Sequence, residues 1–478
     1  MKQFLQSVDR KVLDRDTRSR GVTYAYMAVA VLLLLHHVYV TVYQKTVLTG
    51  ARDLYIPFIL FAGVSFFLGK LWKDKLFWVF AALLVLKVVR TAFFGSYALT
   101  VSVTYFVLSV YAFFICYAIG RVLPREMWKS FLSVLCFVWT VAAVIYAAFG
   151  LTVAFTGVPI RNLGTEAFIV HLDHRLYFIY HAVTSGVILS VCMSMALLGC
   201  LLTKRKLLRI FYIAAALELF FACSLTGTRT AFVMCGLNLA LLLFIFLHGR
   251  LFPGPSVSRL QSLWKYGILF LSVVLVTGAV AFLQPMAANL LPVTAAGAEA
   301  AAGPEEAVNE IAARGFSLSS DDYGFLNGRF EHWGYVLKIA FSSPRDLLLG
   351  QSVYNTMVPI NELRAAHGLQ ALYHCHNTFL QYLTENGLPG FLLYSAFILV
   401  FLFHAGRVLT NRNLPFWQRA LPVCAILCIA EGFIDNTCHV NFGYPQMTAL
   451  YLFAGFTIAL SREEAAKRSS GKDRDCLS

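Results

Sequence analysis

Residues 374–391 read HCHNTFLQYLTENGLPGF, and this stretch joins a polar loop to a long apolar run. Asn377 is a good N-cap for a short amphipathic helix, and Gly387 can end that helix with a left-handed backbone. Pro389 then suits the first turn of the next helix. This geometry would hold His376, a residue type suited to proton transfer at neutral pH, beside free helix N–H groups that favour an anion. The alternative interpretation is a polar loop that only re-enters the bilayer.

The composition assigns the chain to the polytopic membrane proteins. Hydrophobic residues make up 59% of the 478 residues, charged residues make up 13%, and the mean hydropathy is +0.68. A soluble core of this length needs much less apolar sequence. Most cysteines lie in apolar runs and are interpreted as small packing residues. Only Cys375 and Cys438 fall in predicted external loops, so one disulfide is allowed and none is implied.

Apolar runs of bilayer-spanning length predict an all-α fold with about twelve transmembrane helices. The runs lie near 22–43, 54–69, 76–94, 100–119, 130–150, 178–202, 210–225, 230–248, 266–283, 387–405, 420–434 and 446–461. The predicted parts of the chain are an N-terminal tail (1–21), nine helices (22–283), a large external loop (284–386), three helices (387–461) and a basic tail (462–478).

The distribution of basic residues predicts the orientation in the membrane. If the N-terminus is cytoplasmic, 27 lysines and arginines fall in internal segments and 10 in external ones. The positive-inside rule supports this orientation, which also makes the C-terminus cytoplasmic. The net charge of +14 therefore mainly reflects topology, and nothing favours a nucleic-acid partner.

The large external loop has two different parts. Residues 285–315 are alanine-rich and predict a mobile or weakly helical insert, to which we assign no chemistry. From Gly328 onward, apolar residues recur at helical spacing, which predicts an amphipathic helix that ends before Pro344. The apolar positions of this helix are Phe330, Trp333, Val336, Leu337 and Ala340.

Two cations lie inside the third predicted span. Lys87 and Arg90 are three residues apart, so they share one helix face. Charges at this depth are costly and usually face a bundle interior or a polar cavity, which favours a functional role over snorkelling. Glu431 and Asp435, near the outer end of the eleventh span, are interpreted as structural counter-ions of these cations.

Further polar residues lie on the predicted external side. Arg229 is in a turn of small residues between two spans, and Arg329 starts the amphipathic helix; each is either a snorkelling anchor or an anion-binding group. A metal site is not predicted, because neither HExxH nor paired CxxC motifs accompany the available ligands. Those ligands are His171, His174, His181, His374, His376 and the loop pair Asp321 and Asp322.

The order of the motifs resembles that of a known family. The run HNTFLQYLTENGLPGFLLY follows NGRFEHWGYVLKIAFSSPRDLLLG and, far upstream, SLTGTRTAF. Over roughly residues 175–460 this pattern resembles the bacterial O-antigen ligase and O-antigen polymerase superfamily. That family has an arginine in a small-residue turn, then a Gly-Arg followed by a tryptophan, then a His-Asn pair. The matching positions are Arg229, Arg329, Trp333, His376 and Asn377.

The resemblance implies a GT-C-like membrane glycosyltransferase that uses no cofactor. It would move a glycan from a polyprenyl (undecaprenyl) diphosphate carrier to an acceptor hydroxyl on the outer face of the bacterial cytoplasmic membrane. His376 is then the candidate general base. The candidates for binding the diphosphate or the donor are Arg229, Arg329, Lys87, Arg90 and Arg175, and the supporting residues are His374, Asn377 and Trp333. Direct attack without a metal would invert the anomeric configuration.

Several alternatives stay open at this point. A ligase and a polymerase need the same diphosphate chemistry, so the motifs do not separate them. A twelve-helix chain can also be a secondary transporter or a flippase for lipid-linked oligosaccharides. Transporters usually contain paired halves with broken helices at matching positions, and no such repeat is visible here.

Overall fold

The computed structural model is mainly helical, as the sequence predicts. It describes residues 20–43, 55–94, 99–156, 158, 160–162, 165–170, 176–177, 182–251, 264, 267–268, 270–276, 278–279, 327–351, 356–367, 374–436, 439 and 444–469. The predicted insert 285–315, part of the ninth predicted span and the end of the basic tail lie outside the described residues.

The helices before the site follow one another closely along the chain. They are α1 (Arg20–Tyr43), α2 (Tyr55–Leu68), α3 (Lys75–Phe94), α4 (Leu99–Val110), α5 (Tyr117–Val122), α6 (Arg125–Thr156), α7 (Ala182–Leu202), α8 (Lys206–Leu225) and α9 (Arg229–Leu251). A 3₁₀ turn, Leu71–Lys73, precedes α3, and a π-helical segment, Tyr111–Cys116, joins α4 to α5.

Three short helices come next and lead to the second group of long helices. The short ones are α10 (Asn327–Ala340), α11 (Pro344–Leu349) and α12 (Met357–Ala365). They are followed by α13 (Thr378–Thr410), α14 (Phe416–Arg419), α15 (Leu421–Gly432) and α16 (Pro445–Ser469).

Six helices in the described residues are long and apolar enough to cross a membrane. They cover Val103–Val122, Arg125–Thr156, Val183–Leu202, Lys206–Leu225, Thr230–Arg250 and Thr378–Thr410. The predicted count of twelve is therefore not confirmed. Five further predicted spans nevertheless coincide with helices, namely 22–43 with α1, 54–69 with α2, 76–94 with α3, 420–434 with α15 and 446–461 with α16.

Helix α16 forms the centre of the bundle. Every residue from Pro445 to Ser461 is buried, so this part of the helix has no face toward solvent or lipid. It packs against α5, α13 and α15. The ring of Tyr451 stacks on Phe397 of α13 at a centroid distance of 5.5 Å, which places aromatic packing at the core.

Charged residues tie the helices together at one end of the bundle. The buried Asp74 accepts hydrogen bonds from Tyr117 (2.7 Å), Arg121 (2.8 Å) and Arg462 (2.9 Å). Arg125 at the start of α6 pairs with Glu464 of α16. Because α15 runs away from this end, its last residues lie at the opposite end of the bundle, where the candidate site is found.

A small antiparallel sheet is the exception to the predicted all-helical fold. Strands β1 (Ile160–Asn162), β2 (Thr165–Val170) and β3 (Leu176–Tyr177) pair in the order β1-β2-β3. They occupy the predicted loop between the fifth and sixth spans. The β2 sequence, TEAFIV, contains β-branched and aromatic residues, which favour a strand.

Helix α13 contains the break that its sequence predicts. Gly387 has φ +66°, and Pro389 follows in the first turn of the second segment. A Cβ on Gly387 would lie 2.5 Å from the carbonyl oxygen of Leu348 in α11. The Gln351 N–H donates to the Thr384 carbonyl at 2.7 Å. This hydrogen bond holds the chain after α11 next to the break in α13.

Replacing Gly387 with alanine should destabilise the protein. The strained φ alone costs roughly 1–3 kcal/mol of the free energy of unfolding, and the new methyl group would also contact the α11 backbone. The measurement is thermal unfolding of the purified protein. Gly406→Ala in the same helix is the matched control, because its Cβ would meet no atom within 4 Å. An equal melting temperature for the two variants would contradict this account of the break.

Candidate active site

The site lies where the start of α13 meets the end of α15. Asn377 caps α13, since its Oδ1 accepts from the N–H groups of Phe379 (2.9 Å) and Leu380 (3.0 Å). Its Nδ2 donates to the carbonyl of Phe433 at 2.9 Å. The predicted N-cap is confirmed, and the same side chain also joins two helices.

The residue before the cap, His376, is held in an uncommon backbone conformation. Its φ is +48°, a region that residues other than glycine seldom occupy. The indole N–H of Trp333 donates to the His376 carbonyl at 3.2 Å. The rings of His374 and His376 lie 4.1 Å apart between centroids. Strained conformations of this kind are found at functional sites, where the surrounding contacts fix them.

Helix α10 lies against this turn. His332, Val336 and Ala340 form its buried face. Nε2 of His332 lies 3.2 Å from the carbonyl oxygen of His374. The amphipathic helix is confirmed, but its buried face differs from the predicted one. Phe330 and Leu337 are exposed. The prediction used apolar residues only, whereas the buried face includes a histidine that binds the turn.

Asp435 lies at the centre of the charged groups. Its Oδ1 is 3.4 Å from His376 Nδ1 and 4.0 Å from His374 Nδ1, and its Oδ2 is 3.8 Å from the Arg329 guanidinium. The sequence predicts Asp435 as a counter-ion of Lys87 and Arg90, whereas the groups that the structure places beside it are those of Arg329, His374 and His376. Asp435 follows the last turn of α15 and is therefore at the site. Its carboxylate faces the guanidinium of α10 and the two histidine rings of the turn before α13.

A buried polar chain runs from the site into the bundle. Asn436 Nδ2 donates to Gln381 Oε1 at 3.2 Å, and Gln381 Nε2 donates to Glu385 Oε1 at 2.7 Å. His439 Nε2 lies 3.5 Å from the other oxygen of Glu385. All four side chains are buried. None of the four was predicted from the sequence, although Gln381 and Glu385 are four residues apart within residues 374–391.

Lys87 lies beyond this chain, deeper in the bundle. It is buried, as the prediction of an inward-facing cation requires. Its Nζ donates to Ser109 Oγ at 3.4 Å and lies 5.9 Å from the centroid of the Tyr382 ring. Glu385 is near enough to interact with it electrostatically. Glu385 of α13 is therefore an acidic neighbour of Lys87.

The surroundings of the site lower the pKa of its carboxylic acid and of two of its histidines. Burial alone would raise the pKa of Asp435, but His376, His374 and Arg329 hold it below its ordinary value. Burial and the adjacent His376 lower the pKa of His374 to about 4 and that of His332 to about 4. At neutral pH, Asp435 is therefore an anion, and both His374 and His332 are neutral.

These two histidines predict a loss of stability in acid. Between about pH 6.5 and about pH 4, the unfolded chain binds more protons at His332 and His374 than the folded chain does, so the free energy of unfolding falls as the pH falls. Thermal unfolding should show a lower midpoint at about pH 5 than at about pH 7. A variant carrying His332→Gln and His374→Gln should show a smaller difference. The same difference in the variant would contradict this assignment.

His374, His376 and Asp435 also meet the distance requirement for metal ligands. One ligand atom from each lies within 4.8 Å of the others. The Arg329 guanidinium, however, is 3.8 Å from Asp435, and its positive charge opposes the binding of a divalent cation. The arrangement of two histidines, an arginine and one carboxylate is better suited to an anion that approaches Arg329.

The structure brings together five of the predicted site residues: His376, His374, Asn377, Arg329 and Trp333. For Arg229 it gives only the backbone, at the first position of α9 after a turn in which Gly227 has φ +59°. The backbone of Arg90 lies in α3. The side chains of these two residues, and all of Arg175, lie outside the described part of the chain.

Part of the chain matches a known protein family. A search of the curated proteins found no match to the chain. Residues 214–395 match a family model described as O-antigen ligase. The matched region includes the turn before Arg229, helix α10 and the start of α13, which are the segments that carry the motif resemblance. Residues 214–395 are therefore similar to the O-antigen ligase family, which supports the resemblance to the O-antigen ligase and polymerase superfamily.

Proposed function

We propose that this membrane protein transfers a glycan from a polyprenyl diphosphate carrier to an acceptor hydroxyl at the outer face of the bacterial cytoplasmic membrane. The family supports a membrane glycosyl-transfer role in polysaccharide assembly. The observation that carries the more specific proposal is the placement of Arg329, Asp435 and His376 at one site. Such a site has a cation, Arg329, that can stabilise an anionic leaving group, and a base, His376, that can deprotonate the acceptor hydroxyl.

His376 is the proposed general base. Asp435 lies 3.4 Å from its Nδ1, so Nε2 is the nitrogen that remains to take a proton. The Asp435 carboxylate also offsets the positive charge that the ring gains when it accepts that proton. The contacts of the His376 backbone with Trp333 and of Asn377 with Phe433 fix the ring position. A fixed base avoids the reorganisation that a mobile one would require.

Arg329 is the proposed diphosphate-binding group among the described residues. Its side chain is 22% exposed, and its separation from Asp435, 3.8 Å, is longer than a close ion pair. The planar guanidinium can therefore also bind phosphate oxygens in a bidentate manner. Arg229, Lys87 and Arg90 are proposed as further ligands of the diphosphate, and Arg175 as a ligand of the donor or acceptor sugar.

The proposed reaction is one direct displacement. The acceptor oxygen forms a bond to the anomeric carbon, and the bond from that carbon to the diphosphate oxygen breaks. Its electron pair leaves with the polyprenyl diphosphate, whose charge Arg329 stabilises. The hydroxyl proton passes to His376. This scheme needs no metal and inverts the anomeric configuration, so turnover should survive a chelator.

The test is turnover in liposomes that contain the purified protein and a polyprenyl diphosphate-linked oligosaccharide. Reactions with and without a second, lipid A-core acceptor are resolved by mass. Longer carrier-linked chains without that acceptor would indicate a polymerase, whereas a product that needs the acceptor would indicate a ligase. Movement of the carrier across the bilayer without any glycan transfer would overturn the proposal in favour of transport.

A further inference from the structure

A large groove lies far from the candidate site. It has a volume of about 1200 Å³ and is formed by the start of α6, the end of α7 and the start of α8. Arg125, at the start of α6, donates to Gln418 of α14 at 2.8 Å and pairs with Glu464 of α16. These contacts place the groove at the end of the bundle opposite to His376.

The charge of the groove has one sign. Four cations, Lys129, Lys204, Arg205 and Lys206, line it and are exposed. Within the described residues, no aspartate or glutamate lines the groove, and none of these four side chains forms an ion pair shorter than 4 Å. An anionic ligand would therefore find several cations and no competing carboxylate.

The remainder of the groove is apolar. Val134 and Phe137 of α6 are 47% and 43% exposed, and the ring of Phe211 in α8 lies 6.0 Å from that of Phe137 between centroids. The ring of Tyr212 forms part of the floor against Gly199, where an added Cβ would lie 2.4 Å from the ring. The absence of a side chain at Gly199 thus lets the ring lie on the α7 backbone. Cations at one end and apolar walls beyond them match an amphiphilic anion.

We infer that this groove binds an anionic phospholipid of the inner leaflet. The phosphate would contact Lys204, Arg205 and Lys206, and the acyl chains would lie along Phe137 and Phe211. The excess of basic residues at this end of the bundle places the groove at the cytoplasmic surface, where acidic lipids are bound by basic pockets between helices. This inference is independent of the proposed transfer reaction.

Native mass spectrometry of the full-length, delipidated protein tests this inference. The probes are phosphatidylglycerol and the zwitterionic phosphatidylcholine. We expect the wild-type protein to prefer phosphatidylglycerol. The variant Lys204→Gln, Arg205→Gln, Lys206→Gln should bind it on the order of 10- to 100-fold more weakly, with no change in phosphatidylcholine binding. Because all three side chains are exposed, the variant should remain folded.

The matched control removes three charges from the same end of the bundle, outside the groove, through Lys75→Gln, Arg407→Gln and Arg468→Gln. Its preference should equal that of the wild-type protein. A second variant, Lys129→Gln with Lys204→Gln, tests both walls of the groove and should also bind phosphatidylglycerol more weakly. Equal binding of the two lipids by the wild-type protein would overturn the inference. So would an equal loss in the groove and control variants, which would indicate only a general surface charge.

Discussion

Replacing His376 with alanine is expected to lower the rate of glycan transfer by a factor on the order of 10²–10⁴, the usual contribution of a general base. In this site the His376 imidazole, 3.4 Å from Asp435, is the group that would take the proton from the acceptor hydroxyl. Alanine removes that group but leaves the backbone contacts of the turn possible. The measurement is initial rate in the liposome assay, with the donor at saturating concentration.

The matched control for this change is His367→Ala. His367 is exposed on the chain just after α12, where its ring lies 5.3 Å from that of Tyr335, and it has no contact with Asp435. This control should keep the wild-type rate. Thermal unfolding of both variants shows whether each is folded. Turnover at the wild-type rate by a folded His376→Ala protein would remove this residue from the catalytic role.

Replacing Arg329 with alanine is expected to lower the transfer rate by a factor on the order of 10²–10³, the effect of losing one charged donor at a leaving group. Donor affinity should fall as well, because the guanidinium binds the diphosphate before it leaves. Arg329→Lys should recover part of the rate, since lysine keeps the charge but not the planar fork. The measurement is initial rate as a function of donor concentration.

The loss of Arg329 also leaves Asp435 with one cation fewer, so the stability of the variant needs its own check. The double variant Arg329→Ala with Asp435→Asn removes the buried charge and should melt at a higher temperature than Arg329→Ala alone. Arg345→Ala, an exposed position on α11, is the control and should behave as the wild-type protein. Unchanged donor affinity and rate in Arg329→Ala would leave Arg329 as a membrane anchor.

Local sequence signals predicted the features that depend on neighbours along the chain. The N-cap at Asn377 and the break at Gly387 follow from residue types within one or two helical turns, and the structure shows both. Helix α10 follows from apolar spacing in the same way. In each case the backbone requirement is local: an oxygen for free N–H groups, a glycine for positive φ, or a repeat of buried positions.

The centre of the site could not be predicted in this manner. Asp435 is separated by a complete helical hairpin from His376, and only the packing of α13 against α15 brings them together. With the chain alone, a carboxylate near the end of a span was most simply paired with the nearest buried cations, Lys87 and Arg90. The buried Glu385 was overlooked because a single glutamate in an amphipathic segment resembles an exposed one.

Two features of the fold were also not predicted from the sequence, namely the short length of α15 and the strand Thr165–Val170. The predicted count of spans used apolar length only, whereas α15 covers Leu421–Gly432 and is too short to cross a bilayer as a single straight helix. The strand segment Thr165–Val170 is six residues long, and strands of this length give a weak signal beside long apolar helices. Packing within the bundle, rather than composition, decides both.

The central claim is that the donor diphosphate binds beside Arg329 and His376, and photocrosslinking tests it most directly. A polyprenyl diphosphate analogue with a photoreactive group next to the diphosphate is irradiated with the reconstituted protein, and labelled peptides are mapped by mass spectrometry. We predict labels within α10 and within the first turns of α13, with loss of label when excess unlabelled donor is added. Labels confined to other segments, or labels that unlabelled donor does not reduce, would contradict the proposed site.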